Sequence, residues 1–229
     1  MVNRLKGNRI PQTEGKEPPA RRGLLVVVSG PSGVGKGTIF EAAREQIVSV
    51  VGPLVRSVSV TTRPPRPGEV EGRDYYFCTR AEFERRIEAG EFLEWAVYID
   101  HYYGTPGQWV EAELAAGRHV LLEIEVKGAL QVRSRRPEAI LVYVLPASWS
   151  ELEARLENRR TEDPARRRRR IEVAREELTR VPDYDYVIMN RDGEVAKAAD
   201  QLCAILAAES CRTRRAFPPG TGMELAGGD

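Results

Sequence analysis

The sequence predicts an α/β fold in which a parallel sheet carries helices on both faces. Three observations lead there. Short unbroken apolar runs alternate with amphipathic stretches, a glycine-rich turn joins the first run to the first helix, and one region, residues 55–104, departs from the alternation. Leu24-Leu25-Val26-Val27-Val28, bounded by Gly23 and Ser29-Gly30, has the pattern of a strand buried on both sides. Val120 to Ile124, Ile140 to Leu145 (stopped by Pro146) and Tyr186 to Met189 repeat that pattern. Helical periodicity begins near Lys36 and recurs at about 107–117, 127–135, 148–160, 165–180 and 193–209. Strands separated by helices in this way pair in parallel, because each crossover returns the chain to the same end of the sheet.

Residues 55–104 read instead as shorter, more polar strands, Val55 to Val60, Tyr75 to Phe77 and Phe92 to Val97. They surround one helix, Ala81 to Ala89, with Thr79 as its N-cap. The expectation is a largely antiparallel lobe inserted into a core formed by 23–54 and 105–212. Residues 1–22 (basic) and 213–229 lack apolar periodicity and are expected to be disordered tails.

The 35 Lys and Arg nearly balance the 34 Asp and Glu, a net charge of +1 that argues against a general nucleic-acid binder. The apolar run at Leu24–Val28 is too short for a membrane span or a secretory signal. Cys78, Cys203 and Cys211 lack metal-ligand spacing, and an odd number of thiols suits a reducing compartment, so the cytoplasm is expected. His101 and His119 have no partner visible in the sequence and read as structural.

The turn after the first strand is Gly30-Pro31-Ser32-Gly33-Val34-Gly35-Lys36-Gly37-Thr38. Between a buried strand and a helix, this is a phosphate-binding loop of the P-loop NTPase type. Its glycines let backbone N–H groups converge on phosphate oxygens, the helix N-terminus adds partial positive charge, and Lys36 adds a full one for the β- and γ-phosphates. Gly37 stands where Ser or Thr usually follows the lysine, leaving Thr38, one residue later, as the candidate hydroxyl for Mg²⁺.

The inserted lobe carries Ser59-Val60-Thr61-Thr62-Arg63-Pro64-Pro65-Arg66-Pro67-Gly68-Glu69, Gly72-Arg73-Asp74-Tyr75-Tyr76-Phe77, Phe92-Leu93-Glu94-Trp95-Ala96 and Tyr102-Tyr103-Gly104-Thr105. Arg63 and Arg66 flank a stiff Pro-Pro turn, and two guanidinium forks so placed match a dianionic monophosphate. In these blocks the chain strongly resembles the guanylate kinases, from about Leu24 to Glu209. The resemblance implies an ATP- and Mg²⁺-dependent kinase with GMP, or also dGMP, as acceptor. It adds Tyr75 and Tyr103 to the phosphate cage and makes Glu94 the reader of guanine, with hydroxyls from Ser59 and Thr105. The chemistry agrees: a carboxylate accepts from guanine N1–H and the 2-amino group together, whereas adenine turns its N1 lone pair toward it.

Glu125 stands where the family usually has Asp, and the resemblance puts it near the guanine or the Mg²⁺ water shell. Glu69 is expected close to metal and phosphates. The arginine-rich segment at 155–170 matches the family's lid, with Arg155, Arg159 and Arg170 on positions that reach the transferred phosphates and the adenine face. Lys36, Arg63 and these three are thus the expected catalytic set. Arg167 to Arg169 read as surface charge. Asn190 is expected near the adenine, followed by Arg191 where the family often has an acid. A monomer and a homodimer are both compatible with the sequence. Other small-molecule kinases of this fold, such as ribose 1,5-bisphosphate kinases, and non-catalytic guanylate-kinase-like modules share parts of the pattern. Glu94 with Tyr103-Gly104-Thr105 favours guanine over the first, and the intact phosphate loop favours catalysis over the second.

Overall fold

The computed structural model describes residues 22–157 and 164–212, without the side chains of 156–157 and 164–167. Both tail expectations, apart from residue 22, and the lid residue Arg159 lie outside the described residues.

Five parallel strands form the central sheet: β1 (Leu25–Ser29), β2 (Leu54–Arg56), β7 (His119–Glu123), β8 (Ile140–Pro146) and β9 (Tyr186–Asn190), in the order β2-β7-β1-β8-β9. The two-residue period of a strand splits β1 between two cores. Val26 and Val28 pack with Ile39 and Phe40 of α1 (Lys36–Val51) and with Leu202 and Leu206 of α7 (Val195–Ser210). Leu25 and Val27 pack on the other face with Val110 and Leu114 of α3 (Gly107–Ala115) and with Val132 of α4 (Val126–Arg135). The phosphate loop therefore leaves β1 at the carboxyl edge of the sheet, where ligands of open parallel sheets bind. Ser29 Oγ donates to Ile124 O at 2.9 Å and ties the end of β1 to the turn after β7.

The second sheet is the inserted lobe: β3 (Val60–Thr61), β4 (Tyr76–Phe77), β5 (Phe92–Tyr98) and β6 (His101–Pro106), in the order β4-β3-β6-β5. It is antiparallel except between β3 and β4. Helix α2 (Arg80–Glu88) starts as expected, with Thr79 Oγ1 accepting from Glu82 N–H at 3.2 Å, and its Phe83 stacks on Phe92 with ring centroids 4.4 Å apart.

Two elements differ from expectation. The stretch read as one strand, Val55 to Val60, divides: Leu54–Arg56 pairs with β7 as an edge of the central sheet, and only Val60–Thr61 enters the lobe. The Tyr-Tyr-Gly block, not read as a strand from the sequence, is the middle of β6, joined to β5 by a two-residue turn at Ile99 (φ 42°) and Asp100 (φ 70°). Left-handed conformations at both positions suit the twist of a hairpin, but neither residue is the Gly or Asn that usually announces such a turn.

The remaining helices are α5 (Trp149–Glu157) and α6 (Pro164–Leu178). His119 is structural: its Nδ1 accepts from Leu24 N–H and its Nε2 lies 2.9 Å from Val51 O, stitching β7 to the start of β1 and the end of α1. Replacing it by leucine keeps the apolar bulk and leaves both backbone groups without that partner, at a cost of about 1–3 kcal/mol. His119→Leu should lower the urea midpoint with an unchanged slope, and an unaltered midpoint would show that the ring carries no such burden.

Candidate active site

Gly35, at φ 93°, ends the phosphate loop at the foot of α1, and a Cβ there would lie 2.4 Å from Asn190 Nδ2. Only glycine allows that approach, which lets Asn190 donate to Val34 O at 2.7 Å and hold the loop from beneath. Lys36 Nζ donates to Gly30 O at 2.6 Å and Pro31 O at 3.3 Å, so the ammonium lies against the loop that it serves.

A cavity of about 680 Å³ runs from this loop to the inserted lobe, within the usual range for a small-molecule site. Ser32, Gly33, Lys36 and Gly37 line its loop end, and Ser59, Arg63, Arg66, Glu69, Tyr75 and Tyr103 line its lobe end. Glu94, Glu125 and Arg170 also face it. Gly30, Pro31, Val34 and Gly35 shape the loop without lining the cavity, Val34 being wholly buried in the core. Thr105 reaches the site through Glu94.

Arg63 is 8% exposed, and its placement is tightly determined. Nη1 donates to Pro64 O at 2.8 Å, Nη2 donates to Glu69 Oε1 at 2.8 Å, and the guanidinium sits 5.2 Å from the Tyr75 ring centroid. Glu69 also accepts from Arg66 N–H at 2.7 Å, so it orders the arginine turn, and Arg63 holds its carboxyl below the usual range. Arg66 itself is exposed at the rim. Burial raises the phenol of Tyr75 above its ordinary pKa.

Glu94 is 3% exposed. The register of β5 against β6 sets Thr105 opposite it, and Thr105 Oγ1 donates to its Oε1 at 2.6 Å. Gly128 of α4 supplies the space, since a Cβ there would lie 2.2 Å from Glu94 Oε2. Helix α4 also covers the free edge of β5: Gln131 exchanges hydrogen bonds with the backbone of Trp95, and Arg135 donates to the carbonyls of Phe92 and Leu93. Burial, opposed by the Thr105 hydrogen bonds, pushes the Glu94 pKa up to about 7.

Arg155, expected at the transferred phosphates, does not line the cavity. It donates to Val34 O and Asn190 O, each at 3.1 Å, and pairs with Glu151 and with Asp192, the latter at 2.6 Å. Those partners fix the charge behind the loop. Asp192 supplies the acid that the sequence lacks at Arg191. Asn190, expected at the adenine, is buried under the loop.

The family model for guanylate kinase matches residues 22–209 of this chain. The chain belongs to the guanylate kinase family. Curated guanylate kinases from Halalkalibacterium halodurans and Synechococcus sp. are 46% and 47% identical to it over 194 and 211 residues. These alignments cover 85% and 92% of this chain and 92% and 90% of the relatives. The crystal structure of guanylate kinase from Anaplasma phagocytophilum superposes with a TM-score of 0.67 at 34% identity, covering 85% of this chain and 90% of that one.

This guanylate kinase site contains residues that the sequence pattern did not single out. Ser57 and Arg56 line the cavity, and Arg56 lies 3.7 Å from Glu123. Tyr98, at the end of β5, reaches Ser32 of the phosphate loop, and burial pushes its pKa up to about 12. Glu177 of α6 is buried against Glu125. The β6 strand was the missing signal for Tyr98, because without the hairpin nothing aims it at the loop.

The loop's backbone cradle and Lys36 suit the polyphosphate of the ATP that the family uses. No cluster of three His, Cys, Asp or Glu side chains able to hold a metal occurs among the described residues. Thr38, the expected hydroxyl, is exposed on the first turn of α1 and outside the cavity lining, where Gly37 faces inward.

If Glu94 accepts from guanine, as the family resemblance implies, its carboxyl with a pKa near 7 must first lose its proton. Its raised folded-state pKa means that the ligand-free fold binds more protons than the unfolded chain between about 4.5 and 7, a stabilisation lost as pH rises through 7. GMP binding has the opposite sign: affinity measured by calorimetry should rise about fourfold from pH 6.5 to 8. Glu94→Gln should abolish the proton release that accompanies binding at Glu94, and a pH-independent affinity across that window would contradict this assignment.

Proposed function

We propose that this guanylate kinase transfers the γ-phosphoryl group of ATP to GMP, with Glu94 reading the guanine and Arg63 and Arg66 holding the GMP phosphate. The observation that carries the reading is one cavity with Lys36 at its phosphate-loop end, Arg63 at its lobe end, and the buried Glu94 carboxyl facing the same space.

An oxygen of the GMP phosphate attacks the γ-phosphorus, the bond to the β,γ-bridging oxygen breaks, and GDP and ADP leave. Such transfer depends on alignment and charge stabilisation rather than on an enzyme nucleophile. Arg63, with Arg66 and the hydroxyls of Tyr75 and Tyr103, holds the acceptor oxygens in line. Lys36, Arg170 and the lid residue Arg159 offset charge on the migrating group. Mg²⁺ would arrive with the nucleotide and offset phosphate charge at the loop end lined by Ser32 and Lys36, and Thr38, outside that lining, is not placed to hold it. Arg155 and Asn190 act through the loop that they brace. Ser59, Thr105 and Glu125 complete the guanine end, and Glu69 keeps Arg63 oriented. Lobe 55–104 and lid 155–170 close over the reactants and keep out water that would hydrolyse ATP.

None of these contacts involves the ribose 2′-hydroxyl, so dGMP is proposed as a second acceptor. One chain furnishes the whole cavity, and the reading requires no second copy, nucleic acid or membrane. No helix among the described residues is long and apolar enough to cross a membrane. The free thiols of Cys78, Cys203 and Cys211 support a cytoplasmic setting.

Adenine in the guanine position would leave the buried carboxylate facing a lone pair, a mismatch worth up to ~10⁴ in kcat/KM. An ADP-release assay with ATP, Mg²⁺ and GMP, dGMP, AMP, CMP or UMP should show turnover with the two guanine nucleotides at least a thousandfold above the rest. Equal use of AMP would reject Glu94 as the base reader.

A further inference from the structure

Helix α6 meets the body of the protein along Arg170, Ala174 and Glu177, all buried and spaced four and three residues apart on one helical face. The two ends of that face are charged or ionisable. Arg170 turns toward the cavity, whereas Glu177, 8% exposed, packs at the start of α4 against the Glu125 carboxyl and the Val126 backbone N–H. Glu125, the residue immediately before α4, has a buried Oε2 with no hydrogen-bond donor among the described residues.

A buried carboxyl group beside a half-buried one whose Oε2 is shut from water is costly to charge, and a proton held between the two relieves that cost. Burial first, and the neighbouring Glu125 carboxyl second, raise the pKa of Glu177 well above the usual carboxylate range, which favours its holding a proton. Lys36 of the phosphate loop is the cation whose charge reaches it. The phenols of Tyr98, Tyr143 and Tyr184 face the same pair and stay un-ionised, their pKa values raised by burial.

We propose that Glu177 is a positioning residue: its carboxyl O–H donates to Glu125, fastening the lid helix α6 to the start of α4 and so setting Arg170 over the transfer site. The bond also satisfies the orphaned oxygen of Glu125. The guanine end of the cavity and the lid thereby share one fixed point. Glu177 is the third member of a buried face whose others serve packing (Ala174) and charge (Arg170). The inference rests on the proposed reading of Arg170 as a phosphate-facing residue.

Steady-state kinetics of the full chain with Glu177→Gln, Glu177→Leu and Arg170→Ala test it. An amide can donate to Glu125 as the acid does, so Glu177→Gln should keep kcat within about threefold of the wild type. Leucine fills the space without donating. It should lower kcat on the order of tenfold to a hundredfold, with the KM for GMP changed less than threefold and the melting temperature preserved, because the loss is one of alignment. Should Glu177→Leu fail to fold, Glu177→Met carries the same expectation. A wild-type kcat in the apolar variant, while Arg170→Ala is impaired, would overturn the role of Glu177 and leave that of Arg170 standing. A wild-type kcat in Arg170→Ala would overturn the phosphate-facing reading itself. Equal damage from Gln and Leu would overturn the donated hydrogen bond.

Discussion

A carboxyl group shut away from water must be neutralised, hydrogen-bonded or met by a ligand, and the inserted lobe is organised round one. Glu94 lies on the face of β5 that points into the cavity, and the antiparallel register brings Thr105 to its Oε1. The absence of a side chain at Gly128 lets α4 come close enough to enclose it. Slipping β5 by one residue would turn Glu94 to the opposite face, so the backbone clasp by Gln131 and Arg135 of α4 holds the position of the carboxyl as well as the sheet edge. Without ligand, the group is poised to keep its proton near neutral pH. On the proposed reading, guanine takes over the role of that proton.

The cations show a parallel economy. Lys36 lies on loop carbonyls, Arg63 is engaged by Glu69, and Arg155 is engaged by Asp192 and two backbone carbonyls. On the proposed reading, an arriving phosphate exchanges with partners already in place instead of meeting bare charge. Such an arrangement gives up some affinity and fixes orientation, which is the quantity phosphoryl transfer needs. Arg155 shows the limit of the idea. With both backbone and carboxylate partners behind the loop, on the proposed reading it serves the site by stiffening it.

The parts legible in the sequence were those set by local chemistry. Unbroken apolar runs placed β1, β7, β8 and β9, the glycine pattern placed the phosphate loop, and Thr79 marked the start of α2. The set that the resemblance assigns to guanine, Ser59, Glu94 and Thr105, was not legible from local pattern: Ser59 and Glu94 line the cavity, and Thr105 bonds to Glu94. What was missed is decided by tertiary contacts. Leu54–Arg56 is ordinary β sequence whose sheet is chosen by its neighbour β7. The hairpin at Ile99-Asp100 lacks the Asn-Gly or Asp-Gly pair that announces a two-residue turn, so β6 was hidden, and Tyr98 with it. Glu177 sits at helical spacing from Arg170 in a strongly charged helix, and only packing shows that this acid is buried.

The claim underlying this account is that Glu94 and Arg63 bind the two ends of one GMP molecule. A crystal structure with GMP bound tests it most directly. The account predicts guanine N1–H and the 2-amino group donating to Glu94, with the phosphate on Arg63 and Arg66. A base seated away from Glu94, or a phosphate bound elsewhere, would contradict it.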